Sequence, residues 1–460
     1  MGNVKGVRSL FMKLKLTESG ANVFLLTLLV FLDMDPFFVW SAFSPIGYRI
    51  YTSVILIATI FMAYKVFIKK IVVAGMVPDL EDTMRVRLSL VLASSMVVVL
   101  LLYEFFLSGV VTETQQPVNM AMLCIHLGLM FFALQDCICL RSVFLWSKTA
   151  FAISLIPAIF AFLMIQIGLF PPSVSISEGA GAVRTYDLFF GAAVMIRQHG
   201  TDFLNRLCGM FQEPGFVGTM GVFFLLGDKL TLKKWQNVVI LIACCFTFSL
   251  AFVLLLLIGI MLRLAGNLKN KTTFIISILL IFALILGYFV FMSLPLDEDS
   301  MLGTLQARME ITDEGLAGDN RFGSSVWAEE AYEDFLQSDW KTRLFGYGVD
   351  TRVIPGTEIN IWMFVHSYKE FIFYFGYVGF GLLILALVWT FCEKFFRLPA
   401  GRKWSLFVLL VVFLISIYQR YTVASFHYYC ILFGGAANLA LMEDGSVLSS
   451  GEKKRQVLFK

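Results

Sequence analysis

Charge is what this chain has least of. Only 15% of its 460 residues are Asp, Glu, Lys or Arg, against about 25% in an ordinary soluble domain. A solvent-covered globule cannot be built from that supply. Soluble-enzyme signatures are missing too. There is no Walker A loop, no GxGxxG opening a helix, no zinc-type Cys/His spacing and no DxD-like pair in a soluble domain. Nucleotide-driven motors, dinucleotide oxidoreductases and zinc domains fall away as starting points, and no cofactor or metal is called for. The eight cysteines make no disulfide framework. Cys124, Cys244, Cys245 and Cys430 lie in apolar runs and Cys137 and Cys139 in a basic loop, so buried thiols are expected. No cleavable signal peptide is visible, because the first apolar run is span-length and lacks a small-residue cleavage site. Basic residues sit in short loops and the longest polar loop is acidic, which argues against a nucleic-acid partner.

Hydrophobic residues are abundant instead, at 58% of the chain, with a mean hydropathy of +0.80. They come in long runs separated by short charged ones. The expected class is an all-α polytopic membrane protein of about 12 transmembrane segments, at roughly 20 residues per span. Candidate spans lie near 22–40, 49–68, 87–109, 118–135, 149–170, 213–227, 236–264, 273–293, 372–395, 404–419 and 424–442. Trp40, Trp146, Trp235 and Trp404 fall at their edges, as interfacial aromatics do.

Charge alternation orients them. Lys5, Arg8, Lys13 and Lys15 mark a cytoplasmic N-terminus. The loop at 41–48 is uncharged, 65–87 is basic, 110–117 has no base, and 136–148 holds Arg141 and Lys148. The run 236–264 is flanked by Lys233 and Lys234 before it and Lys269 and Lys271 after it, so both ends belong inside. It is therefore expected as two short or re-entrant helices broken near "FTFSL", 246–250. Both termini are then cytoplasmic. The organisation is 1–293 (nine segments with an external re-entry loop at 171–212), a large extracytoplasmic loop at 294–371 between segments 9 and 10, and 372–460 (segments 10–12 and a cytoplasmic tail). Between 294 and 365 that loop carries fourteen acidic against five basic residues. Within it, Phe322, Val326, Trp327, Phe335, Leu336 and Trp340 recur at near-helical spacing among Glu329, Glu330, Glu333 and Asp334. An amphipathic helix is expected, either capping the bundle at the membrane surface or packed on its own loop.

The remaining polar residues form an ordered set. "RLCGMFQEPG" occupies 206–215; Arg321 is followed by Trp327 and by Gly346-Tyr347-Gly348; His366-Ser367 leads into Gly376 and Gly379. This order, with the large external loop, resembles the O-antigen polymerase and O-antigen ligase superfamily, integral membrane glycosyltransferases of GT-C-like arrangement. About 40 residues carry the motif-level similarity. Ser367 departs from the asparagine that often follows the histidine in that family.

The resemblance implies glycosyl transfer from an undecaprenyl-diphosphate-linked oligosaccharide, as donor and acceptor, on the external face of a bacterial inner membrane. A polymerase of repeat units is the main expectation. A ligase delivering the glycan to lipid A core is the alternative, and a flippase or transporter a remote one. A chain-length regulator and a flippase would be partners, alongside the lipid bilayer. A lipid diphosphate needs cations at headgroup depth, and guanidinium binds phosphate bidentately. Arg206 and Arg321 are the first choices and Arg420 the next. Arg206 also reads as a cation snorkelling to the interface, and Arg321 as a partner of Asp319 or a loop glutamate. Glu213 reads either as a cap before Pro214 or as a group orienting Arg206 or a sugar hydroxyl. His366 is the candidate base for the acceptor hydroxyl. Direct attack by that hydroxyl inverts the anomeric carbon, and no carboxylate pair is evident for a double displacement. His126, His199 and His427 rank below His366.

Overall fold

The computed structural model describes residues 23–39, 137–177 without 171, 184–198 without 191 and 192, 206–266, 286–297, 326–347, 367–395, 400–417 and 425–441, with isolated positions elsewhere. The expected spans at 49–68, 87–109 and 118–135, and most of 273–293, lie outside the described residues. So do Arg321, His366 and Arg420.

The described chain is mostly helical. Eight apolar helices can be named: α1 (Val23–Asp33), α2 (Cys137–Gln166), α3 (Pro214–Gly227), α4 (Trp235–Phe246), α5 (Leu250–Ala265), and, after two polar helices, α8 (Ser367–Phe395), α9 (Ala400–Ile417) and α10 (Phe426–Leu441). Two stretches, Cys139–Gln166 and Phe371–Trp389, are long and apolar enough to cross a membrane. The polar helices are α6 (Val326–Gln337) and α7 (Trp340–Phe345). The outer surface of α2 stays apolar: Trp146, Ile153, Phe160, Leu163 and Ile167 are exposed while Phe144, Phe151 and Leu155 are buried. A helix apolar on every side suits a lipid surround.

Three features differ from the sequence expectation. The all-α reading misses a four-stranded antiparallel meander. It runs β1 (Ser173–Ser177), β2 (Arg184–Phe189), β3 (Ala193–Gln198), β4 (Arg206–Gly209), in that spatial order. It fills the segment expected as a re-entry loop at 171–212, and a short hairpin of β5 (Ile311–Thr312) and β6 (Gly315–Leu316) adds a second sheet. Second, the expected basic loop 136–148 is the beginning of α2, with Cys139 and Lys148 buried in it. Third, α8 begins at Ser367, inside the expected loop, and breaks at Gly376, where φ is 67°.

The 236–264 run folds as the charges require. Helix α4 ends at Phe246 and α5 starts at Leu250. Gly221 of α3 faces Cys244 near the end of α4, and Gly218 faces Ser249 and Phe252 at the start of α5. Gly259 of α5 faces Leu226, and Lys234, just before α4, is bonded to Asp228. Both outer ends of the pair therefore lie at the C-terminal end of α3, and the bend lies at its N-terminal end. A Cβ on Gly218 would sit 2.8 Å from the Phe252 Cβ. Small residues are what let these helices approach so closely.

The amphipathic helix of the long loop is α6. Phe335 is fully buried against Phe373 of α8, and Lys369 lies 5.2 Å from the Tyr332 ring centroid. Of the expected apolar stripe, Leu336 and Trp340 are exposed. The helix thus docks on the start of α8 and caps the bundle there.

Candidate functional site at the helix break

The break is built by side chains. Thr247 Oγ1 donates to Cys244 O at 2.6 Å, and Ser249 accepts from the Phe252 N–H as the N-cap of α5. Phe248 between them has φ 46°, a left-handed conformation that costs a non-glycine residue energy. A helix ending inside protein leaves carbonyls without intrahelical partners. Arg206 fills that need. From β4, its Nε donates to Thr247 O at 3.0 Å and its Nη2 to Phe248 O at 3.3 Å. The guanidinium is therefore docked on the break that the charge pattern predicts. A cation at a helix C-terminus also opposes the helix dipole.

Glu213 is the N-cap residue of α3. It has extended backbone (φ −138°, ψ 137°), and Pro214 takes the first helical position. Its carbonyl accepts from Phe216 N and Val217 N, and its side chain makes no cap hydrogen bond. The cap position expected from the sequence is therefore met by the backbone, without a bond from the carboxylate to the helix.

Two further strands of chain reach the same end. The turn after α1 pairs with the segment after β4: Phe37 N donates to Met210 O at 2.7 Å, and Pro36 bridges to Phe211. The start of α10 is tied to the end of α1. Asp33 Oδ2 accepts from His427 N at 2.8 Å and lies 2.7 Å from His427 Nδ1. The His427 ring lies 5.5 Å from the ring of Phe216, three residues after Glu213. The helices α3, α5 and α10 thus all begin at the end of the bundle where Arg206 bonds the break. Sequence reasoning ranked His427 low and passed over Asp33. An acidic residue closing an apolar run was the available signal.

Depth follows from lengths. At 1.5 Å per residue, α3 and α4 are about 21 and 18 Å long, well short of a hydrocarbon core of about 30 Å. The other end of these helices is marked by a buried charge cluster. There Lys148 Nζ lies 2.5 Å from Asp228 Oδ2 and Lys234 Nζ 2.6 Å from Oδ1. Asn237 and Asn438 also donate to Asp228, and Arg141 Nε donates to Asn438 Oδ1 at 3.2 Å. Meanwhile Phe211 packs on Phe151 of α2 at 5.3 Å, well before that helix ends at Gln166. Nearer its end, Phe162 of α2 stacks on Phe246 and lies 6.2 Å from Phe248, so the break that Arg206 bonds sits about one turn before the tip of α2. Irregular backbone at such depth needs protein around it, and Leu207, Cys208 and Phe211 are fully buried.

A second pairing unites two other sequence motifs. Gly346 (φ 81°) and Gly376 (φ 67°) face each other across α7 and α8. A Cβ on Gly346 would lie 2.2 Å from Tyr374 O, and one on Gly376 2.2 Å from Leu344 O. Tyr347 N donates to Phe373 O at 2.9 Å, taking one carbonyl freed by the kink. Among the described residues no group of His, Cys, Asp and Glu could hold a metal ion.

Compared with protein-family models, curated proteins and solved structures, the chain matches none.

Proposed function

We propose that the chain is an integral membrane glycosyltransferase of GT-C-like arrangement that joins undecaprenyl-diphosphate-linked repeat units into a surface polysaccharide. The single observation that carries this reading is the position of Arg206. It is a cation held on the carbonyls of the helix break, at the end of the bundle where α3, α5 and α10 begin. Helix N-termini and a guanidinium both attract anions. A lipid diphosphate is the anion that a membrane protein meets at such an end. Arg321 and Arg420 add cations from the long loop and from the chain between α9 and α10.

The reaction needs little else. The acceptor hydroxyl attacks the anomeric carbon, the diphosphate leaves with the bonding electrons, and the centre inverts. Cations near the diphosphate stabilise the charge that develops on it. The acceptor proton passes to an imidazole at this end, and His366 is the one the sequence nominates. Glu213, at the start of α3, supplies a carboxylate for a sugar hydroxyl. A chain-length regulator and a flippase would work alongside, with this end on the external side and both termini in the cytoplasm.

The test is reconstitution. Full-length protein in liposomes is given lipid-linked repeat units extracted from cells lacking its gene. A ladder of lengthening glycans on the same lipid is the expected product. Transfer to added lipid A core without lengthening would make the protein a ligase. No transfer at all would overturn the glycosyltransferase reading.

A further inference from the structure

His427 stands at the start of α10, at the same end of the bundle as the break, and two groups from distant parts of the chain, Asp33 and Phe216, converge on it. Asp33, from the end of α1, accepts the backbone N–H of His427 and sits 2.7 Å from Nδ1. A carboxylate there fixes the proton on Nδ1 and leaves the lone pair on Nε2. Ser425 Oγ lies 3.5 Å from Nε2. Phe216 and Tyr428 wall the ring, at 5.5 and 4.6 Å between centroids. The side chains of His427 and Asp33 are 5% and 8% exposed, while Ser425 is half-buried and so the more accessible member. Asp35, exposed two residues beyond Asp33, is the other carboxyl of the group and acts electrostatically on Asp33.

We propose that Ser425, His427 and Asp33 are the proton relay of the transfer reaction. The proposal rests on the glycosyltransferase reading and names the groups for its proton step. The acceptor hydroxyl gives its proton to Ser425 Oγ as Ser425 passes its own to His427 Nε2. The acceptor oxygen bonds the anomeric carbon, and the bond from that carbon to the diphosphate breaks, the diphosphate keeping the electron pair. Asp33 stabilises the imidazolium formed, which returns its proton to water as the product moves on. The 3.5 Å separation is longer than a working proton-transfer contact of about 2.6–3.2 Å, and such contacts close when substrate binds. In this scheme His427 is the base, Ser425 the group that touches substrate, and Asp33 a positioning residue. A tie between the first and last helices alone would explain the bond to His427 N. It would not explain a carboxylate on Nδ1 with a hydroxyl on Nε2.

The test uses full-length protein in liposomes with the lipid-linked repeat unit. His427→Gln is expected to lower kcat by roughly 10²–10⁴-fold, with KM for the lipid-linked unit little changed. Ser425→Ala, which removes one oxygen and spares the fold, is expected to lower kcat about tenfold or more. Asp33→Asn still accepts the backbone N–H but loses the charge. It should move the acid limb of the pH–rate profile to lower pH, because the imidazolium is less stabilised. Wild-type kcat in Ser425→Ala and His427→Gln, or an unmoved acid limb in Asp33→Asn, would overturn the relay. Loss confined to a parallel His366→Gln protein would do the same while leaving the glycosyltransferase reading intact. Absence of transfer by the wild type removes both. Should His427→Gln not purify as a monodisperse protein, Ser425→Ala decides.

Discussion

Arg206 shows how one side chain serves fold and site together. Its two bonds to Thr247 and Phe248 hold the α4–α5 bend in place, and the same charge is the one proposed to meet the diphosphate. Arg206→Lys keeps the charge but cannot bond both carbonyls from one planar fork. Glycan elongation by that variant is expected to fall about tenfold or more, with normal membrane insertion; unchanged ladder formation would detach Arg206 from the reaction. The arginine was legible in the sequence because a cation beside "EPG" and an apolar span is unusual. Its partner was half-legible: flanking lysines predicted a bend at 246–250, but not that Arg206 would bond it. Asp33 was illegible, since a lone carboxylate at a helix end has the same local pattern whether it meets water or the last helix of the chain.

Elements repeat that lesson at larger scale. Long apolar helices announce themselves, because a span needs about 20 apolar residues and little else looks like that. The meander did not. Its strands are four to six residues long, too short to separate from a polar loop by alternation alone. The kink in α8 was hidden for a different reason. Gly376 is required by its contact with Leu344, thirty-two positions earlier, and local sequence does not carry that partner. Both glycines combine left-handed backbone with a backbone oxygen where a Cβ would go. Gly376→Ala and Gly346→Ala should each lower the melting temperature in detergent by several degrees. Since they address one contact, the double variant should lose less than the sum. Strict additivity would show that the two glycines do not depend on each other.

Among the described residues, ionic contacts are concentrated at the two ends of the helices. Asp228 is fully buried and neutralised chiefly by Lys148, whose side chain is 2% exposed. Removing one member of a buried pair strands the other in a medium that cannot solvate it. Asp228→Ala should therefore destabilise the protein by about 3–5 kcal/mol, visible as a large fall in thermal stability. Replacing Lys148 by Met in the same chain should restore much of that loss. If Asp228→Ala melts like the wild type, the cluster holds nothing together. The cluster was misread in the sequence because Lys148 looked like a loop cation; its partner lies 80 residues away in a different helix.

Between the two ends, α10 runs from His427 to Asn438 as "HYYCILFGGAAN", about 16 Å of helix with no carboxylate and no basic side chain. The packed faces of α3 there are Val222, Phe223, Phe224 and Leu225, all fully buried. Such a layer behaves as the dielectric of a capacitor: nothing in the described part of it hands a proton or a charge from one surface to the other. On the proposed reaction, transfer at the Arg206 end would be electrically isolated from the opposite compartment and driven by the sugar–diphosphate bond alone. Sugar-chain growth in sealed liposomes should proceed at the same rate whether a potassium diffusion potential is imposed, reversed or collapsed with an ionophore. A rate that tracked the voltage would mean that some route through the dry layer carries charge.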